Sequence, residues 1–202
     1  MKKLLIFTRY PVAGQVKTRL IPALGESGAR NLHCAMVMQT LAQAANFDGK
    51  VEIHYAGGNQ MLMKRWLGER YLYRAQAGCT LGERLTGALA AAFSEGAKKA
   101  LVIGTDCPDL KIEHLIKAIN LLDRNDLVIG PARDGGYYLV GLNKLHRELF
   151  DNISWGSNLV FRQTMDAAKR LLLKTAALET LSDIDRPGDL PCHLSLIPND
   201  PE

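Results

Sequence analysis

Arg9, Lys17 and Arg19 fall in the stretch Thr8–Leu20, TRYPVAGQVKTRL, which has no acidic residue and carries Pro11 and Gly14. Three cations in such a loop can neutralise phosphate charge, and Gly14 lets backbone N–H groups approach an anion closely. The same composition also describes an ordinary solvated basic loop. Farther along, Gly104-Thr105-Asp106-Cys107-Pro108-Asp109 sets two carboxylates three residues apart. Carboxylate oxygens are hard ligands suited to Mg²⁺ or Mn²⁺ bridging to phosphate oxygens. Asp106 reads as a metal ligand. Asp109 reads either as a ligand or as the cap of a helix beginning near Ile112, with Pro108 stiffening the turn. Cys107 is expected to pack behind that turn.

Three further segments could contribute. In Arg133-Asp134-Gly135-Gly136-Tyr137-Tyr138, paired glycines after an acid allow a tight turn and a close ligand, although Asp-Gly alone also favours a plain hairpin. Asp134 could be a general base or could support a metal ligand, and spacing does not separate these. Tyr137 and Tyr138 point to opposite faces of a strand, so at most one is expected in a cleft. In Ser182-Asp183-Ile184-Asp185-Arg186-Pro187, Asp183 or Asp185 could complete a metal site; capping of a helix that starts at Pro187 is the favoured alternative. Gly78-Cys79-Thr80-Leu81-Gly82-Glu83-Arg84 could bind an anion or a base edge where a helix opens, with Gly82 at the close approach. Glu83 there reads as a first-turn carboxylate facing the helix dipole.

These segments need elements to position them, and the hydrophobic pattern supplies strands and helices in alternation. Strands are predicted at Leu4–Phe7, Val51–Tyr55, Tyr71–Ala75, Ala100–Ile103, Leu127–Ile129, Tyr137–Leu142 and Lys174–Ala177. Helices are predicted at Ser27–Ala45, with Ser27 as N-cap, and at Gln60–Leu67, Gly82–Lys98, Ile112–Leu122 and Asn158–Leu171. The basic loop is then long, about 17 residues to the next helical rhythm, and long connections inside a compact domain are usually functional. Tyr137–Leu142 follows its predecessor so closely that the sheet should be mixed. The predicted fold class is α/β: a three-layer α/β/α sandwich with a mostly parallel mixed sheet, in which ligands bind beyond the carboxyl ends of strands. The tail from Leu190, with Pro191, Pro198 and Pro201, is expected to be irregular.

The 202 residues suit a single domain over 1–202. A net charge of +4, scattered along the chain, argues against a nucleic-acid footprint and suits a small anionic ligand. No apolar run approaches the ~18 residues of a membrane span, and the apolar stretch of MKKLLIF is too short for a secretory signal. A cytoplasmic protein is therefore expected. Its four cysteines, Cys34, Cys79, Cys107 and Cys192, form no C-x-x-C pair and read as reduced thiols without a covalent role. The histidines stand singly and receive no role.

Taken in order, FTRYPVAGQVKTRL, GTDCPDL, PARDGGYYLVGL, ISWGSNLVFRQT and LSDIDRPGDL resemble the nucleotide-diphospho-sugar transferases of the GT-A type. That glycosyltransferase-like group is similar to the molybdenum-cofactor nucleotidyltransferases and to 2-phospho-lactate guanylyltransferase. The resemblance spans nearly the whole chain. It implies that Arg9, Lys17 and Arg19 hold nucleotide phosphates, that Asp106 binds Mg or Mn, and that Gly135-Gly136-Tyr137 line a sugar or acceptor pocket. It also implies Asp183 or Asp185 as a second metal ligand. The partners implied are a nucleotide or nucleotide-sugar and a small-molecule acceptor, the latter deprotonated by a carboxylate such as Asp134. Three segments depart from the family pattern: Thr80 stands where an Asp is usual, Gly156 where a hydroxyl residue is usual, and Arg186 and Gly188 where Thr and Glu are commoner. The first two motivate a rival reading, a nucleotide-binding regulator without turnover. Nucleotidyl transfer with release of pyrophosphate is the rival chemistry.

Overall fold

The computed structural model of the chain describes residues 1–190; the Pro-bearing tail from Pro191, with Cys192 and His193, lies outside the described residues. Leu4, Leu5 and Ile6 are fully buried, and their side chains alternate between the two faces of β1 (Lys2–Arg9). The chain then alternates through α1 (Ile21–Ala44), β2 (Lys50–Ala56), α2 (Gln60–Leu67), β3 (Leu72–Ala75), α3 (Leu81–Ser94), β4 (Lys99–Ile103) and α4 (Ile112–Leu121). It closes with β5 (Leu127–Pro131), β6 (Tyr137–Leu142), α5 (Val160–Arg170) and β7 (Thr175–Ala177). The seven strands form one sheet in the order β3-β2-β1-β4-β6-β5-β7. β6 runs antiparallel between β4 and β5, and the other pairs are parallel. The mixed α/β sheet predicted from the sequence is therefore the one observed.

Helices cover both faces, giving three layers. Leu4 and Ile6 pack with Val37 and Leu41 of α1, Met63 of α2 and Leu115 and Ile119 of α4. Leu5 packs on the other face with Leu85 and Leu89 of α3 and Ala167 and Ala168 of α5. A strand buried on both faces reads as a continuous apolar run, which is why β1 was legible without alternation.

Helix starts account for most differences from expectation. α1 begins at Ile21, with Pro22 in its first turn and a break at Gly25 (φ 70°, ψ 172°), so Ser27 lies inside it and is not its cap. The loop after β1 is correspondingly shorter than expected, and Thr18–Leu20 form a 3₁₀ turn leading into the helix. α3 ends at Ser94, short of Lys98. α2 and α3 open on side-chain caps: Asn59 accepts from Leu62 N at 3.0 Å and Thr80 from Glu83 N at 3.1 Å. Glu83 in turn accepts from Cys79 N at 2.7 Å, so Thr80 and Glu83 both serve the start of α3.

One ion pair, Lys3 with Glu52, is buried in this frame and extends to half-exposed partners. Lys3, 1% exposed, ion-pairs with Glu52 of β2 and with Glu95 just beyond α3. Arg74 of β3 reaches Glu52 at 3.0 Å and Glu95 at 2.6 Å. Burial by itself would raise the Glu52 carboxyl. The nearby His54, Lys3 and Arg74 outweigh it and pull it down to about 2. The folded carboxyl therefore titrates below its ordinary value of 4.5, and the stability it contributes is present above that pH and lost as the pH falls toward 2. Glu52→Gln is expected to destabilise the protein at pH 7 by about 1–3 kcal/mol, because it removes one of the two carboxylates paired with buried Lys3 and leaves only Glu95. It should also flatten the decline in urea midpoint between pH 5 and pH 2; a variant with the wild-type acid profile would contradict this account.

Candidate active site

The carboxyl ends of β1 and β4 lie side by side, with Thr8 Oγ1 and Thr105 Oγ1 3.5 Å apart. A cleft of about 670 Å³ opens over them, lined among others by Arg9, Lys17, Arg19, Arg84, Asp106 and Asp185. A cleft on the outer side of α4 is nearly as large, about 640 Å³, but lies away from these strand ends. Chemistry rather than size distinguishes the first: cations and carboxylates converge where an open α/β sheet places its ligands.

Lys17 is the centre of that convergence. Its side chain is 4% exposed, and Nζ lies 3.0 Å from Asp106 Oδ1 and 3.9 Å from Asp185 Oδ1. Nζ also donates to the Ile184 carbonyl at 2.5 Å. Arg19 pairs with the other oxygen of Asp185. The backbone at Lys17 is left-handed (φ 48°, ψ 42°), a conformation that L side chains rarely adopt. Gly14, also left-handed (φ 76°), turns the loop where a Cβ would lie 3.3 Å from the Glu26 carboxyl carbon. Arg9 is exposed on the rim, and its carbonyl oxygen lies 3.0 Å from Nε2 of buried His33. Burial holds the His33 imidazole below its ordinary pKa, so it is neutral at pH 7.

Asp185 reaches the cleft, and Asp183 comes beside it, because Leu181–Asp185 lies against the site loops. Leu181 bridges to Ala132 past the end of β5, and Ile184 N donates to Asp106 O at 2.9 Å. Cys107 is buried behind its turn, as expected, with Sγ donating to Ser182 O at 3.3 Å, and burial raises its thiol pKa. Asp183 is pushed up to about 6 by burial and then by the negative charges of Asp134 and Asp106. The Asp134 and Asp106 carboxylates thus both repel that of Asp183. Among the described residues no group of three or more His, Cys, Asp or Glu side chains is assembled at metal-binding spacing. Asp106 and Asp183, close enough for the charge of one to raise the other, carry hard oxygens, and a cation would relieve that repulsion, so their donor chemistry suits Mg²⁺ or Mn²⁺.

Two capping alternatives are overturned. Asp109 is exposed and does not cap α4; its N-cap is Lys111, whose N–H donates to His114 Nδ1 at 2.9 Å. Asp185 does not cap the 3₁₀ turn Pro187–Asp189. Asp189 does so from inside the turn, accepting from Arg186 N at 2.7 Å and Asp185 N at 3.1 Å, which leaves the Asp185 carboxylate to Arg19 and Lys17.

The glycine segment forms a β5–β6 hairpin. Asp134, exposed, accepts from Gly136 N at 2.8 Å. A Cβ on Gly135 (φ 88°) would lie 2.2 Å from Asn158 O, so this glycine lets the hairpin touch the segment entering α5. Tyr137 and Tyr138 take opposite faces, as predicted: Tyr137 packs edge-on to Trp155, and Tyr138 donates to Glu179 O at 3.0 Å. Gly82 is buried where a Cβ would meet Phe150 O at 2.7 Å, so packing on Arg147–Phe150 explains it. Leu81 and Arg84 from the same turn line the cleft instead. His33 and Gln76 also line it without having been singled out by the sequence. Gln76 donates to Thr8 O at 3.2 Å and His54 O at 2.9 Å, and its place just past β3 is the signal that could have found it.

With this geometry in view, the sequence family described as "Uncharacterized protein conserved in bacteria (DUF2064)" matches residues 38–157. The chain belongs to this family. A solved structure described as a candidate nucleotide-diphospho-sugar transferase, from Desulfovibrio desulfuricans G20, is 36% identical with a TM-score of 0.88, covering 92% of this chain and 82% of that one. The 4-diphosphocytidyl-2C-methyl-D-erythritol synthase of Anaerococcus prevotii DSM 20548 shares the fold at 13% identity and a TM-score of 0.61, covering 94% of each chain. So does the glucosyl-3-phosphoglycerate synthase of Mycobacterium tuberculosis, solved with Mn²⁺, UDP and phosphoglyceric acid, at 12% identity and 0.58, covering 94% of this chain and 72% of that one. No curated protein sequence matches the chain. The DUF2064 chain thus has the fold of nucleotide-diphospho-sugar transferases and of nucleotidyltransferases. Among the described residues no helix is long and apolar enough to cross a membrane.

Gly135→Ala tests the hairpin. A left-handed alanine costs about 1–3 kcal/mol, and overpacking against Asn158 adds about 1–3 kcal/mol. Urea denaturation of this variant is expected to show a clear loss of stability; an unchanged midpoint would contradict the packing described.

Proposed function

We propose that the chain is one metal-dependent transferase domain over residues 1–202, acting in the cytoplasm on a nucleotide-diphospho-sugar and passing the glycosyl group to a small acceptor. The observation that carries this reading is the meeting of Lys17, from the loop after β1, with Asp106, from the end of β4, in one cleft. The 36%-identical relative named as a nucleotide-diphospho-sugar transferase supports the substrate class. The Mn²⁺ and UDP bound to the glucosyl-3-phosphoglycerate synthase support divalent metal use.

In this reading Asp106 and Asp183 hold Mg²⁺ or Mn²⁺, and Asp185 orients Lys17 and Arg19 beside them. The bound ion supplies charge neutralisation on the leaving diphosphate. Lys17, Arg19 and the rim Arg9 bind its phosphate oxygens, and their fixed positions favour the transition state, where that charge grows. The Gly135-Gly136 turn bounds the acceptor side, and Asp134 takes the acceptor's proton. Asp109, exposed beyond the turn, has no part in this arrangement.

One observation favours nucleotidyl transfer as a second reading. Asp134 is exposed and already engaged by Gly136 N, a weak position for a general base. Attack on an α-phosphate with pyrophosphate leaving depends on positioning and electrostatics more than on a strong base. The two chemistries separate by product. The protein is incubated with Mn²⁺ or Mg²⁺ and panels of nucleotide sugars with candidate acceptors and of nucleoside triphosphates with candidate phosphorylated acceptors. Released nucleoside diphosphate supports glycosyl transfer and pyrophosphate the rival; ligand-induced thermal stabilisation without either product supports a nucleotide-binding regulator. Asp106→Ala is expected to lower kcat/KM by about 10²–10³-fold, the loss typical of one preorganised electrostatic partner. Survival of metal-dependent activity in that variant would remove the metal assignment.

A further inference from the structure

Lys17 does not wait free for a phosphate. Its ammonium is enclosed by Asp106 Oδ1 at 3.0 Å, Asp185 Oδ1 at 3.9 Å and the Ile184 carbonyl at 2.5 Å. The chain accepts a left-handed backbone at Lys17 to put it there. The second oxygen of Asp185 is taken by Arg19. The half-exposed Asp106 carboxylate therefore already has a cation, supplied by the chain itself. Lys17 takes Oδ1, and a divalent ion on the other oxygen of that carboxylate would stand close to the ammonium in a partly buried setting, so repulsion sets the two cations in competition.

We propose that Lys17 is the site's resident cation. It holds Asp106 and Asp185 in place in the ligand-free protein, is exchanged for the divalent ion, and on release turns its ammonium to the nucleotide phosphates. This rests on the metal-dependent reading above. Metal alone must displace a buried ammonium that is paired with Asp106 and donates to the Ile184 carbonyl, so it binds weakly. Metal arriving with a polyphosphate gives that ammonium a new anionic partner, so the two ligands bind cooperatively through Lys17. The exchange also keeps a carboxylate-rich cleft neutralised while no substrate is present.

Mn²⁺ alone is the probe, with free ion followed by electron paramagnetic resonance. Lys17→Met is expected to bind Mn²⁺ at least tenfold more tightly than the wild type, since the competing ammonium is gone. A second measurement uses the wild type and does not depend on how the variant folds. Acetylation of Lys17, read by peptide mass spectrometry, should be slow in the free protein and several-fold faster at saturating Mn²⁺, with exposed Lys50 as the unchanged internal control. If Mn²⁺ binds but Lys17→Met gains no affinity, or if Lys17 stays protected at saturation, the exchange is overturned and the metal reading stands. If neither protein binds Mn²⁺, the exchange is overturned, and the metal reading falls with it only if Mn²⁺ added together with a nucleoside diphosphate is not bound either.

Discussion

A buried ammonium is costly unless anionic oxygens surround it, and the organisation of this cleft follows from how Lys17 meets that requirement. Its partners come from two distant parts of the chain. Asp106 is fixed by the end of β4, and Asp185 and the Ile184 carbonyl by the segment past β7. That segment is itself secured by backbone bonds, Ile184 N to Asp106 O and Leu181 N to Pro131 O. The lysine therefore ties the loop after β1 to the strand end and to the returning chain.

The sheet topology makes these meetings possible. β1 and β4 are parallel neighbours, so their carboxyl ends open on the same edge. β6 inserts antiparallel between β4 and β5, so the turn between β5 and β6 lies at that edge too and brings Asp134 within electrostatic reach of Asp183. Glycines supply the tolerances: Gly135 admits the segment entering α5, and Gly82 admits Phe150 and Trp155 against the start of α3. Lys3, Glu52 and Arg74 of β1, β2 and β3 form a separate ionic cluster, so the molecule carries two such clusters with different settings. The first is saturated by internal partners, and the second opens to a cleft.

Most elements were legible because the chain is locally consistent. The apolar run at β1 and the short link before β6 each state their conformation within a few residues. The errors fall where a local signal competed with another. Ser27 looks like a cap, but Pro22 starts α1 earlier and Gly25 interrupts it. Asp109 and Asp185 have cap-like spacing, yet His114 and Asp189 accept those backbone N–H groups from inside the turn. Of the cleft's lining, the basic loop and Asp106 were visible as charges next to strand ends. His33 was not, since a lone histidine on a buried helix face carries no sequence mark of what it faces.

The sequence by itself determined the alternating α/β order, the mixed sheet and the kinds of charge at each strand end, because hydrophobic period, turn residues and residue chemistry are local properties. Only the tertiary structure decided that Asp185 meets Lys17 and Arg19 rather than a backbone turn, and that Asp183 shares its surroundings with Asp134 and Asp106. Those outcomes depend on the return path of Leu181–Asp185 across the site, a matter of distances between residues far apart in the chain that no local pattern encodes.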